Sequence, residues 1–141
     1  MFEFMYKLSR KSVVMNKLLQ FVYKCEIPRT AQIGSGVTFN HKGLGVVIHP
    51  NSQIEDNVYI EHHVCLGQRT GTDTAAPVVR KNTVIGAYSV ILGGGGGGGE
   101  IGEGCVIGAC SLVLHDVPAH TIFYNERIEK TKENHKPIGQ Y

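Results

Sequence analysis

The sequence predicts an all-β fold: a parallel β-helix of six-residue units, preceded by a short helical segment. Three observations carry this reading. Apolar anchors recur at Ile33, Phe39, Val47, Ile54, Ile60, Leu66, Val79, Ile85, Ile91, Ile101, Ile107 and Val113. The steps between them are 6, 8, 7, 6, 6, 13, 6, 6, 10, 6 and 6 residues. Many units share one pattern: an aliphatic residue, Gly or an acid, two variable residues, then a small one, as in IGSGV, IEDNV, IGAYS and IGEGC. An α-helix or a hairpin stack does not keep this period. A coil does when each unit supplies one strand, one inward aliphatic side chain and one tight turn. Three units close a triangular coil, so residues 26–117 hold about four to five coils.

The elements follow in order. Residues 2–24 read as one or two amphipathic helices, with Met5, Leu8, Leu18, Leu19 and Val22 as the apolar face and basic residues around it. Residues 1–25 therefore form a segment that packs under the first coil, with weak association with an anionic membrane surface as the other reading. Pro28 breaks the helix and delivers the chain into the coils. Pro118 ends the last regular turn, and 118–141 is a polar, charged extension whose first half reads as helical.

Composition bounds the partners. At 141 residues the chain is one domain, and its net charge of +2 gives no argument for nucleic acid. The four cysteines form no CxxC pair, so free thiols in a reducing compartment are expected. Lys7, Arg10, Lys11 and Lys17 interrupt every candidate signal-peptide core, which predicts a cytoplasmic protein.

The irregular steps locate chemistry. Counted in threes, Phe39, Ile60, Ile85 and Ile107 share one face, so His41, His62, Ala87 and Ala109 stack in one column at one corner. With strands 4.8 Å apart that column is roughly 14 Å tall. The 13-residue step inserts the loop 67–78 at the next corner, and the 10-residue step puts the glycine tract 93–99 at that same corner one coil later. Exposed flat faces and open ends argue for a homotrimer, in which the His column of one subunit meets the loop-bearing edge of its neighbour.

At these residues the chain resembles a family. GVTFNHKGLGVVIHPNSQIEDNVYIEHHVCLG, APVVRKNTVIGAYSVILGG and EIGEGCVIGACSLVLHDVPAH are similar to segments of the left-handed β-helix hexapeptide acyltransferases. The likeness is to the serine acetyltransferase-like branch, which includes polysaccharide and sugar O-acetyltransferases. The resemblance implies acetyl-CoA as donor and a hydroxyl as acceptor. It assigns His41 as general base and Glu26 as the carboxylate that orients it. His41, His62 and His63 lack the spaced ligands of metal-binding hexapeptide enzymes, so no metal is expected. Gly67 matches a turn glycine near the thioester, and Ala87 and Ala109 small residues along the pantetheine groove. FYNERIEK departs from the family's segment near the adenine; Arg127 within it is a candidate contact to CoA phosphate, with a solvated charge face as the other reading. His62 is an acceptor-pocket candidate, and Asn40, also taken as substrate-binding, stands where the serine enzymes carry an acid. Ala75 and Ala76 stand where those enzymes carry an Arg-His pair. With these groups missing, a neutral sugar hydroxyl is the expected acceptor, serine the alternative, and a non-catalytic trimeric scaffold the third reading.

Overall fold

The computed structural model describes residues 1–69, 75–94 and 99–126. Among these residues two helices, α1 (Phe2–Ser9) and α2 (Val13–Tyr23), precede thirteen short strands. These are β1 (Gln32–Ile33), β2 (Thr38–Phe39), β3 (Val47–Ile48), β4 (Gln53–Ile54), β5 (Tyr59–Ile60), β6 (Cys65–Gln68), β7 (Val78–Val79), β8 (Val84–Ile85), β9 (Val90–Gly93), β10 (Glu100–Ile101), β11 (Val106–Ile107), β12 (Leu112–Val113) and β13 (Ile122–Phe123). They stack in parallel into three faces. The first is β1-β4-β7-β10, the second β13-β11-β8-β5-β2 and the third β12-β9-β6-β3. The chain thus completes four circuits of three strands, and β13 opens a fifth beyond Pro118, where the sequence reading ended the coils.

The core is the inward column of each face. Phe39, Ile60, Ile85 and Ile107 are in register on the second face and buried. On the third face the inward residues are Ile48, Leu66, Ile91 and Val113. One anchor therefore moves by a residue: Val47 is 40% exposed and Ile48 is the buried one. The run Val46-Val47-Ile48 offers three aliphatic candidates, and strand alternation selects the outer two for the interior. With Ile48 as anchor, the step from Phe39 is nine residues, three more than the repeat requires. Those extra residues fall at the corner that carries His41.

Small polar residues finish the interior. Ser89 and Ser111 both donate to the Gly108 carbonyl, at 2.9 and 2.6 Å, and Thr83 donates to that of Gly102 at 3.0 Å. Each is buried, so these bonds offset the desolvation of hydroxyl and carbonyl alike.

The helices close one end of the prism. Phe2 meets Phe39 at 6.4 Å and Tyr23 edge-on at 5.0 Å, and Leu19 is fully buried. Arg10 donates to the carbonyls of Pro28 and Ala31, and Asn16 to that of Ile27, satisfying backbone oxygens at the open end. The buried face shares Leu19, and in part Met5, with the expected one; Leu18 and Val22 are exposed, while Phe2, Ser9 and Asn16 face inward. Both sides of α2 carry apolar residues, so periodicity alone did not select the docking side. Among the described residues, no helix is long and apolar enough to cross a membrane.

Candidate active site

The corner between the second and third faces is built by left-handed turns. His41 (φ 48°) and Lys42 (φ 60°) both take positive φ in the short 3-10 segment Asn40–Gly43. His63, Tyr88 and Cys110 occupy the equivalent left-handed position in successive coils. The three-residue insertion pushes His41 out into solvent, whereas His62 in the next coil is half-buried. Their rings meet edge to face with centroids 4.7 Å apart, so the expected column exists.

A second column lies one residue earlier. Asn40 and Glu61 follow directly after the paired Phe39 and Ile60, and the Asn40 amide donates to a Glu61 carboxylate oxygen at 2.7 Å. The other Glu61 oxygen lies 3.4 Å from His62 Nδ1, an ion-pair separation too poorly aligned to be a hydrogen bond. One nitrogen from each of His41 and His62 and one oxygen of Glu61 lie within 4.8 Å of one another. Glu61 is the site residue that sequence reasoning missed. The signal was present: counting the position after each anchor, instead of two places after, pairs Asn40 with Glu61.

Glu26 is placed differently from the expectation. It bridges to Val47 at the foot of the third face and is exposed. Among the described residues, no hydrogen bond or ion pair joins it to His41. Its charge instead acts on Cys65, whose thiol is held above its ordinary range first by burial and then by Glu26.

The small-residue column rises above the histidines. Ala87 and Ala109 continue it, with Gly86 and Gly108 above Glu61. A groove of about 470 Å³ opens at its upper end, lined by Gly108, Ala109, Cys110, Tyr124, Asn125 and Glu126. Gly67 lies inside β6, paired with Leu92, and not in a turn. A Cβ there would come within 3.0 Å of the Leu92 side chain. Arg127 lies outside the described residues.

The loop-bearing corner forms as counted, between the third and first faces. The bases of its two excursions are tied together: Arg69 N–H donates to Gly93 O and Val78 N–H to Gly99 O, both at 2.9 Å. A Cβ on Gly93 would sit 2.5 Å from the Ala75 carbonyl oxygen, so only glycine lets these backbones meet.

This geometry has counterparts among known proteins. No family model matches the chain. Over 135 residues, 92% of its length, it is 35% identical to the serine acetyltransferase of Buchnera aphidicola from Schizaphis graminum, of which it covers 49%. Soybean serine acetyltransferase complexed with serine superposes with a TM-score of 0.68 at 36% identity, covering 77% of this chain and 44% of the other. The fold is that of the hexapeptide-repeat β-helix acetyltransferases. The Brucella abortus serine acetyltransferase in complex with coenzyme A superposes with a TM-score of 0.66 at 30% identity, covering 84% and 46% of the two chains. The chain thus spans about half the length of the relatives it matches.

These relatives overturn one expectation. The sugar acceptor was inferred from groups missing at Asn40, Ala75 and Ala76, yet the similar proteins are serine acetyltransferases. The Glu61 carboxylate stands one coil later, 2.7 Å from the Asn40 amide.

Proposed function

We propose that this chain transfers the acetyl group of acetyl-CoA to the hydroxyl of serine, with His41 as general base. The observation that carries the reading is its likeness to the serine-bound soybean enzyme, together with an exposed imidazole at the foot of a small-residue column. An alcohol attacks a thioester slowly unless a base removes its proton as the new bond forms. His41 takes that proton on one ring nitrogen and returns it to the departing sulfur. The Glu61 carboxylate, within 4.8 Å, stabilises the imidazolium in between. Ala87 and Ala109 leave space along the edge for the thin pantetheine arm, ending at the groove beside Tyr124 and Asn125.

The active unit in this reading is a homotrimer. Outward residues of the third face are Val47, Cys65, Val90 and Leu112, and those of the second are Thr38, Tyr59, Val84, Val106 and Ile122. The first face presents Gln32, Gln53, Val78 and Glu100 instead. Two largely apolar faces flank the His41 corner and one polar face lies opposite, a distribution that favours self-association through the first two.

The test is CoA release from acetyl-CoA by the purified protein, with and without L-serine. Serine-dependent release that disappears in His41→Ala supports the proposal. Release no faster with serine than with water alone overturns it.

A further inference from the structure

We propose that His41, Glu61 and His62 form a binding site for a divalent transition-metal ion of the zinc type, and that its occupation takes the base out of service. Among the described residues this is the one group of three or more His, Cys, Asp or Glu side chains whose donor atoms converge. Two imidazoles and one carboxylate are a donor set suited to Zn²⁺, Co²⁺ or Ni²⁺, and not to the all-oxygen shells of Mg²⁺ or Ca²⁺.

Three further observations point to a ligand. Bonds of about 2.0–2.2 Å at tetrahedral angles place zinc ligands roughly 3.4 Å apart. The present donors, within 4.8 Å, need to close by at most about 1.4 Å to reach that spacing. His62 Nδ1 is buried and has no hydrogen-bond partner, which leaves a nitrogen lone pair or N–H unsatisfied in the resting site. The Glu61 carboxylate is held from behind by the Asn40 amide, the kind of outer hydrogen bond that fixes a metal-ligating carboxylate. His41 is exposed, so a fourth position stays open to water.

The consequence follows from electron count. The lone pair that His41 offers to a substrate proton is the same pair it would donate to a metal. An ion held there leaves the imidazole unable to accept the proton. The ion is therefore an inhibitor of the reaction, not its cofactor. This second half rests on the assignment of His41 as base; the binding site itself does not.

The experiment uses the full chain, reduced with a non-chelating phosphine. Zn²⁺ is titrated by competition with a chromogenic chelator, and Co²⁺ is followed by its visible absorption. One Zn²⁺ per chain is expected, with a Co²⁺ spectrum lacking the intense near-ultraviolet bands of thiolate ligation. Glu61→Gln and His62→Gln are each expected to weaken binding by at least about tenfold, with circular dichroism unchanged. Absence of stoichiometric binding overturns the site. So do thiolate bands, which would place the ion on Cys110 or another thiol, or wild-type affinity in both variants. Zn²⁺ that binds with the expected variant dependence but leaves serine-dependent turnover untouched overturns the inhibition, and with it the assignment of His41 as base.

Discussion

Asn40 gives its amide hydrogen to Glu61 across 2.7 Å, joining two successive coils at the corner where His41 stands. The pair holds one negative charge between two positions that are adjacent in space and 21 residues apart in sequence. Glu61→Gln keeps the shape and removes the charge. We expect kcat for serine-dependent CoA release to fall by roughly tenfold, the equivalent of about 1.4 kcal/mol, with KM little changed. Asn40→Asp sets two carboxylates side by side and should also lose rate. The double variant Asn40→Asp/Glu61→Gln returns the acid to the lower coil and should exceed both single variants. Simple addition of the two losses would show that the residues act independently.

His41→Ala should leave the fold intact, because the side chain is exposed and anchors no core contact. Its cost should fall on turnover, by about 10²–10⁴-fold as expected for a general base. Melting temperature and oligomeric state, measured beside kcat, separate catalysis from folding. A variant that keeps full turnover would remove His41 from the mechanism.

Gly45 lies under the ring of His63. Its φ is +67°, and a Cβ built there falls 2.4 Å from His63 Cδ2. That ring is itself stacked on Tyr88 at 4.7 Å. Gly45→Ala should therefore cost at least about 1 kcal/mol from the left-handed backbone alone, and more from displacing the His63–Tyr88 stack. Denaturant unfolding reads the loss. A loss of only about 1 kcal/mol would mean that the stack yields freely, and wild-type stability would overturn the backbone cost as well.

The thiols should react in order of burial. Cys110 is exposed on a left-handed turn, whereas Cys25 is buried, which pushes its thiol up to about 11. Brief alkylation of native protein, mapped by mass spectrometry, should label Cys110 first and the buried Cys25 and Cys105 last. The raised Cys25 value also predicts a pH effect. The unfolded thiol ionises near 9.0 and the folded one near 11, so the associated stability is complete below pH 9.0 and declines as pH rises through about 11. Cys25→Ser should flatten that limb of the stability profile.

Arg80 binds Glu55 from the coil before its own and Glu100 from the coil after it, each at 2.8 Å. Its hydrogen bond, then that of the Lys81 N–H, holds the Glu55 carboxyl below its usual 4.5. A depressed folded value contributes stability above pH 4.5 that disappears as pH falls through the folded value. The effect is small, because the trio is solvent-exposed and screened by salt. Melting curves below pH 4.5 should show a shallower acid decline for Glu55→Gln than for wild type. Parallel curves would show that the bridge contributes nothing measurable.

The prism was legible because a period of six has few other solutions and its strands alternate strictly. The histidine column and the doubly interrupted corner both follow from that count. What escaped had physical causes. Val46, Val47 and Ile48 are all aliphatic, so the inward residues were settled only by strand pairing across coils. The helices carry apolar residues on two sides, and docking against Phe39 chose between them. Glu61 was missed because the columns were followed at a single offset from each anchor. Serine ranked below a sugar hydroxyl as acceptor because the groups at Asn40, Ala75 and Ala76 were weighed position by position along the chain.

The clasp at Gly93 and Gly99 has a consequence for how this chain can change. Strand register on either side is fixed at those two residues, by bonds to Arg69 and Val78. Both bonds are made at the two ends of the run and involve none of the residues between. Lengthening an already closed loop costs only about 0.6 kcal/mol per doubling. The run is therefore a place where the gene can gain or lose codons while the prism keeps its shape, and any effect of doing so would appear at that corner of the surface alone.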